Sequence, residues 1–208
     1  MTSPKGGTNV YRAAAGKARW ELREKGSRFV AIVEPASDES SVRDQIKAYQ
    51  QEYSDATHVC WAWRIGSPAR EGRSDAGEPS GTAGTPMLRV LQGNDLSDVL
   101  AVVVRWFGGV KLGKGGLARA YAGAVREAVG LLSITERRPV KKLRVSLPYE
   151  RVGDLKRLVH PPSVEILAET YGDTVTVTLG IDRDQAGQVE EALKAFATQV
   201  ENAGTQQR

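Results

Sequence analysis

The 208-residue sequence contains one cysteine and two histidines, and each shortage removes a class of function. Cys60 has no second cysteine with which to close an intramolecular disulfide. With only His58 and His160 for company, it forms no recognisable zinc ligand set, so no metal site is assigned. Long apolar runs are also missing. The longest, Val99 to Val104, falls far short of the ~20 residues that span a bilayer, which excludes a spanning helix, and no membrane partner is expected. The beginning of the chain, MTSPKGGTNVYRAAAGKARW, lacks the apolar core of a signal peptide and points to a cytoplasmic protein. Acidic residues are absent over one long stretch. None lies between Asp98 and Glu127, whereas Arg105, Lys111, Lys114, Arg119 and Arg126 all do.

That acid-free stretch contains VVVRWFGGVKLGKGGLARAYAGAVR (102–126), which reads as an apolar strand, a glycine-rich loop and a helix. Glycines 108, 109, 113, 115 and 116 let the backbone turn tightly and let an anion come close, and a helix N-terminus offers it unpaired N–H groups. The segment is suited to holding phosphate. Gly108, four residues, Gly113 and Lys114 nearly spell a P-loop, but Gly115 stands where Ser or Thr would hold Mg²⁺. Gly113, Gly115 and Ala118 fit a GxGxxA dinucleotide pattern, yet its acidic partner is misplaced, because Glu136 precedes the next strand. Both nucleotide motifs are near misses, and no cofactor is assigned. The same glycines could simply let a helix pack on its sheet, with the cations solvated.

A second loop, SDAGEPSGTAGTP (74–86), supplies Asp75, Glu78, Ser80, Thr82 and Thr85 on a flexible backbone. Two carboxylates and several hydroxyls could bind a metal or move protons, or they could merely cap turns. Should both glycine loops lie at one end of the sheet, a cleft with an acidic and a basic side follows. His58 and Cys60 alternate on one strand and so share a face. A Cys–His nucleophile pair is conceivable there, but a buried thiol beside a satisfied histidine is the plainer reading, and no catalytic residue is assigned. Trp61 and Trp63 share the opposite face, where they could stack on bases or fill the core.

The net charge of +4 is uneven. Up to Pro139 there are 20 Lys+Arg against 15 Asp+Glu, and from Val140 onward 9 against 10. Pro139 also breaks the chain's pattern, which places a boundary at 138/139 and two domains over 1–138 and 139–208. Before it, strands are expected at 28–33, 57–65 and 99–107. Helices are expected from an N-cap at Ser37 to about Tyr53, from Thr85 and Pro86 to Leu91, and over 117–131, with 68–84 as loop. After the boundary, strands at 143–149, 164–171 and 174–182 and helices at 151–160 and 184–200 give the order β-α-β-β-α. That is a ferredoxin-like unit without its last strand, with ENAGTQQR as a frayed tail.

At these segments the chain resembles the IMPACT/YigZ family. KGSRFVAIV (25–33), THVCWAW (57–63), SDAGEPSGTAGTPML (74–88) and VVVRWFGGVKLGKGGLARAY (102–121) occur in that family's order and cover most of residues 20–131. The resemblance implies an α+β protein with a ribosomal-protein-like, left-handed βαβ domain followed by a small ferredoxin-like domain. It also implies kinship with eukaryotic proteins that regulate a translational stress kinase on the ribosome. Matching positions are Asp75, Gly77, Glu78, Pro79, Gly81, Thr82, Gly84 and Pro86 in the first loop. In the second they are Arg105, Gly108, Gly109, Lys111, Gly113, Gly115, Gly116, Arg119 and Tyr121. Trp106, Lys114 and Thr85 depart from the family pattern.

The expectation is a nucleic-acid- or ribosome-associated binding protein with a translation-linked role, rather than an enzyme. Phosphate would be held by Arg105, Gly108, Gly109, Lys111, Gly113, Lys114, Gly115, Gly116 and Arg119, with Asp75, Glu78, Ser80 and Thr82 as an accessory loop. The partners would be RNA or the ribosome, or a protein of the translation machinery. The alternatives are an enzyme acting on a phosphorylated small molecule or nucleotide, and a protein–protein regulatory module.

Overall fold

The computed structural model describes residues 10–207, with side chains to residue 203. The chain divides into two compact units, one over Tyr11–Glu136 and one formed by the residues from Arg137 on. The strands and helices of the first are β1 (Tyr11–Ala14), β2 (Ala18–Glu24), β3 (Ser27–Pro35), α1 (Glu39–Glu52), β4 (His58–Ile65), β5 (Arg70–Ser74), α2 (Gly84–Gly93), β6 (Leu96–Ser97), β7 (Val99–Trp106), α3 (Gly113–Gly130) and β8 (Ile134–Arg137).

Strand β7, VLAVVVRW, is apolar through most of its length because both its faces are covered. It lies at the centre of a sheet ordered β2-β3-β7-β4-β5, antiparallel to both β3 and β4. Strands β3 and β4 therefore run parallel with β7 inserted between them, and α1 connects them as a split βαβ unit. On one face Phe29, Ala31, Cys60, Ala62, Ala101 and Val103 meet α2 and α3 through Met87, Leu91, Leu117, Tyr121 and Val125. On the other, Val30, Ile32, Leu100, Val102 and Val104 meet α1 through Val42, Ile46 and Tyr49. Trp61, Trp63 and Trp106 pack against that second core rather than standing free for bases.

Strands β1, β2, β6 and β8 were not expected from the sequence, and the cap of α1 and the loop 68–84 also differ from expectation. Ser37 is not the cap of α1. Asp38 is, accepting from the Ser41 amide at 2.8 Å while the Ser41 hydroxyl accepts from the Asp38 amide. Residues 68–84 are not all loop, because β5 pairs along β4 from Arg70↔Ile65 to Ser74↔Trp61. Its sequence REGRS carries no apolar signal, since backbone pairing makes this edge strand. Gly72 lies under the Trp63 indole, where an added Cβ would approach ring atoms to 2.4 Å.

The second unit comprises β9 (Pro139–Leu147), α4 (Val152–Leu158) after a single 3₁₀ turn, β10 (Val164–Tyr171), β11 (Val175–Asp182), α5 (Ala186–Lys194) and β12 (Gln199–Gln207). The sheet order β10-β11-β9-β12 is the full ferredoxin-like arrangement. The expected frayed tail is thus a strand, paired with β9 from Gln199↔Ser146 to Gln207↔Pro139 with a register shift between Asn202 and Thr205, and the helix expected over 184–200 ends at Lys194. Only Val200 of its described side chains is apolar and packs on the core. The ladder, rather than a hydrophobic pattern, defines it.

Candidate functional site

The loop that follows β7 reaches α3 through a series of glycines with different jobs. Gly108 is pressed against the tip of the β2–β3 hairpin, where a Cβ would lie 1.8 Å from the Gly26 carbonyl carbon. That tip, Lys25-Gly26, has φ of 47° and 80°, the two-residue turn that suits right-twisted strands. Gly108 is therefore required for packing between two backbones. Gly109 and Gly113 have φ of 86° and 71° and open space around them, so they are glycine for conformation rather than crowding.

Helix α3 starts at Gly113, earlier than the expected 117, so Gly113, Lys114, Gly115 and Gly116 form its first turn. Leu112 occupies the N-cap, no side chain caps the turn, and no acidic residue lies in it. The free N–H groups and the helix dipole leave a positive end. Lys111, Lys114 and Arg119 are exposed around it and make no hydrogen bond or ion pair among the described residues. A pocket of about 190 Å³ opens beside Arg119, lined also by Leu22, Glu24, Lys25, Leu112, Gly116 and Ala120 and by neither Lys111 nor Lys114.

Arg105 is set apart from these cations. It is 5% exposed, and its Nη1 donates to Glu78 Oε1 at 2.6 Å while Nη2 donates to Ser27 Oγ at 3.2 Å. Its guanidinium also lies near the rings of Phe29 and Phe107, at 5.3 and 5.5 Å. The expected phosphate contact is thus a buried strut, because strand alternation at β7 turns it toward α3 rather than outward. Glu78 Oε1 accepts a second bond from the Tyr121 hydroxyl at 2.8 Å, so the first glycine loop meets the strand and the helix that flank the second. Glu78 and Arg105 form a buried ion pair inside the domain rather than opposite walls of a cleft.

The remaining residues of the first loop are also structural. Asp75 Oδ1 accepts from the amides of Ala83 and Gly84 at 2.9 Å, and Oδ2 from that of Gly81 at 2.9 Å. Burial works to raise its pKa, but these amides outweigh it and hold the carboxyl below the usual aspartate range. Asp75 thereby caps the start of α2, which has no side-chain cap of its own. Thr82 is buried, its hydroxyl donating to the Pro79 carbonyl at 2.6 Å, whereas Ser80 is exposed.

His58 and Cys60 share a face, as alternation requires, but do not form a nucleophile pair. Cys60 is fully buried, and burial pushes its thiol up to about 12. Its Sγ donates to the Asp75 carbonyl at 3.0 Å and lies 3.4 Å from the Tyr121 hydroxyl. Burial likewise drives the Tyr121 phenol well above its ordinary value. His58 Nδ1 lies 2.9 Å from the Ala76 carbonyl, an acceptor only, so that nitrogen carries the proton. Among the described residues no group of three or more His, Cys, Asp or Glu could hold a metal ion. Sequence reasoning overlooked Ser27 and Phe107, whose only signals are their places beside the Gly26 turn and after Arg105.

Residues 25–129 match the Impact N-terminal domain, and residues 145–197 match a domain of unknown function, DUF1949. The chain belongs to the IMPACT family. The IMPACT family member of Haemophilus influenzae is 34% identical over 87% of this chain and 86% of its own length. The family member YigZ of Escherichia coli is 31% identical over 83% of this chain and 86% of its own. The family reaches eukaryotes, where the Protein IMPACT homolog of Saccharomyces cerevisiae is 34% identical over 44% of this chain and 37% of its own length. A crystal structure of a hypothetical protein, 27% identical, superposes with a TM-score of 0.69 over 94% of this chain and 98% of its own. The IMPACT-type segment thus takes in β3, β4, β5 and β7 of the sheet, all three helices of the unit to within one residue, and both glycine loops. No helix among the described residues is long and apolar enough to cross a membrane.

Proposed function

We propose that this IMPACT family member is a nucleic-acid- or ribosome-associated binding protein with a regulatory role linked to translation. Phosphate is taken at the loop Gly108–Gly116 and the first turn of α3. The observation that carries this reading is the uncapped, acid-free start of an 18-residue helix with Lys111, Lys114 and Arg119 unpaired around it. Gly109 and Gly113 shape the approach, Gly115 and Gly116 bring backbone amides to the surface, and the cations supply charge. Gly108 and Arg105 support from within. Arg105 fixes the end of β7 through Glu78 and Ser27, so the loop starts from a rigid base. Support for the link to translation comes from membership of the IMPACT family and the role its eukaryotic members are expected to play. The cellular site of that work is the cytoplasm.

An enzyme acting on a phosphorylated small molecule is the weaker reading. Asp75, Glu78 and Cys60 are all engaged in holding the fold, and none faces the helix start with a proton to exchange.

Binding of this kind is salt-dependent. Each lost phosphate contact flattens the slope of log K against log salt by roughly 0.7–0.9. Titration of a fluorescent single-stranded RNA with wild type and Lys111→Ala/Arg119→Ala tests the assignment. The double variant is expected to bind more weakly, with a slope shallower by about 1.4 on this single-stranded probe. Unchanged affinity and slope would remove the site from this position.

A further inference from the structure

Helices α2 and α3 lie side by side on the sheet and leave a groove of about 600 Å³ between them. Its floor includes Val90, Ala118 and Ala122, and Arg89, Arg119 and Arg126 stand along it, with no carboxylate among its lining residues. All three arginines are exposed, and none makes a hydrogen bond or ion pair among the described residues. Arg89 and Arg126 play no part in the phosphate site proposed above.

We infer that this groove is a docking site for an acidic, amphipathic helix of a partner protein. The argument is one of charge and spacing. Arg119 and Arg126 are seven residues apart, two helical turns or about 10.5 Å along α3, on its outer face. A helix lying alongside repeats at the same interval, so carboxylates at its positions i and i+7 reach both arginines. Arg89, across the groove on α2, takes a third. The apolar floor then covers the incoming helix's own apolar stripe, the helix-in-groove mode of recognition.

Gly123 adds an independent observation. It lies on α3 between the two arginines, at the rim of the groove rather than among its lining residues, and a Cβ there would meet nothing within 4 Å. The protein's own packing does not need glycine at this position, and glycine within a helix costs about 1 kcal/mol relative to alanine. What a missing side chain provides is a low ridge on which a second backbone can lie close. An RNA strand would be served by cations and amides, as at the start of α3, and has no use for a floor of valine and alanine.

The test is selection of a displayed library of 20-residue helical peptides on the full chain, followed by anisotropy titration of the selected peptide. A labelled single-stranded RNA is titrated in parallel. Selected sequences are expected to carry Asp or Glu at i and i+7 beside an apolar stripe. Affinity should fall about tenfold or more in Arg89→Gln/Arg126→Gln, which removes two charge-assisted contacts. It should fall also in Gly123→Leu, which fills the approach without changing charge and improves helix propensity. Lys111→Ala/Lys114→Ala should leave the peptide unaffected while weakening RNA, so that failure of this site and of the phosphate site are told apart. Selected peptides with no acidic bias, or equal binding by both groove variants, would overturn the inference. So would a loss confined to RNA in Arg89→Gln/Arg126→Gln, which would make the groove part of the nucleic-acid surface.

Discussion

Glu78 takes two donors on one oxygen in the interior, and removing either partner strands what remains. Glu78→Gln or Arg105→Met should each destabilise the first unit by about 3–5 kcal/mol, because an uncompensated buried charge or donor is left. The double replacement Glu78→Leu/Arg105→Met should recover much of that loss, since a buried pair returns little net energy over a well-packed apolar pair. Urea unfolding of the three variants measures the coupling. Cys60 provides a second check at this scale. With its thiol buried and pushed up to about 12, it should resist a thiol reagent at pH 8 in the native protein. It should react at once in urea, and rapid native labelling would contradict the packing described here. At this scale the sequence was only partly legible. Strand alternation placed His58 and Cys60 on one face and Trp61 and Trp63 on the other, and the structure agrees. It could not reveal that Arg105 is buried and paired there, because the partner that makes burial tolerable, Glu78, lies 27 residues away in another loop.

Among the elements, α2 begins without a cap of its own and depends on Asp75, eight and nine residues earlier, for its first amides. Asp75→Asn should therefore cost about 1–2 kcal/mol at neutral pH, in the range of a lost helix cap. The sign with pH follows from the lowered carboxyl. Stabilisation is complete above the ordinary aspartate pKa of about 3.9 and is lost as pH falls through the lower folded value. Thermal unfolding of wild type and variant should therefore converge only at strongly acidic pH. Helix α3 gives the opposite sign. Gly123→Ala should stabilise by about 1 kcal/mol, since nothing in the protein fills the space beside it, and weaken the peptide docking inferred above. The elements that pattern reasoning found are those with two-sided or helical apolar faces, such as β7 and α3. Those it lost include the short β1, β6 and β8 and the edge strands β2, β5 and β12, and the last two rest on backbone pairing with β4 and β9. REGRS has no apolar residue to declare a face, and β12 declares only Val200.

In the molecule as a whole, the basic excess sits before Val140, and in the structure much of it gathers on α3 and the loop before it. One end of that helix presents free amides and lysines suited to phosphate, and its outer face presents arginines over an apolar floor suited to a protein helix. A regulator that must sit on a ribonucleoprotein and also engage a protein there could use both surfaces at once. Family membership was legible from four motifs because those motifs are the parts of the chain that meet one another, the Gly26 turn against Gly108 and Glu78 against Arg105 and Tyr121. What they bind was less legible, since a glycine required for packing and a glycine shaped for an anion read alike in one dimension. The central claim, that the loop and the start of α3 hold the phosphate of a ribosomal or other RNA partner, is tested most directly by sedimentation. Lysate of cells producing the chain is run through sucrose at low and high salt. The account predicts comigration with ribosomal subunits at low salt, release at high salt, and loss of comigration in Lys111→Ala/Arg119→Ala. A chain that stays at the top of the gradient at every salt concentration, or a double variant that still comigrates as wild type does, would contradict it.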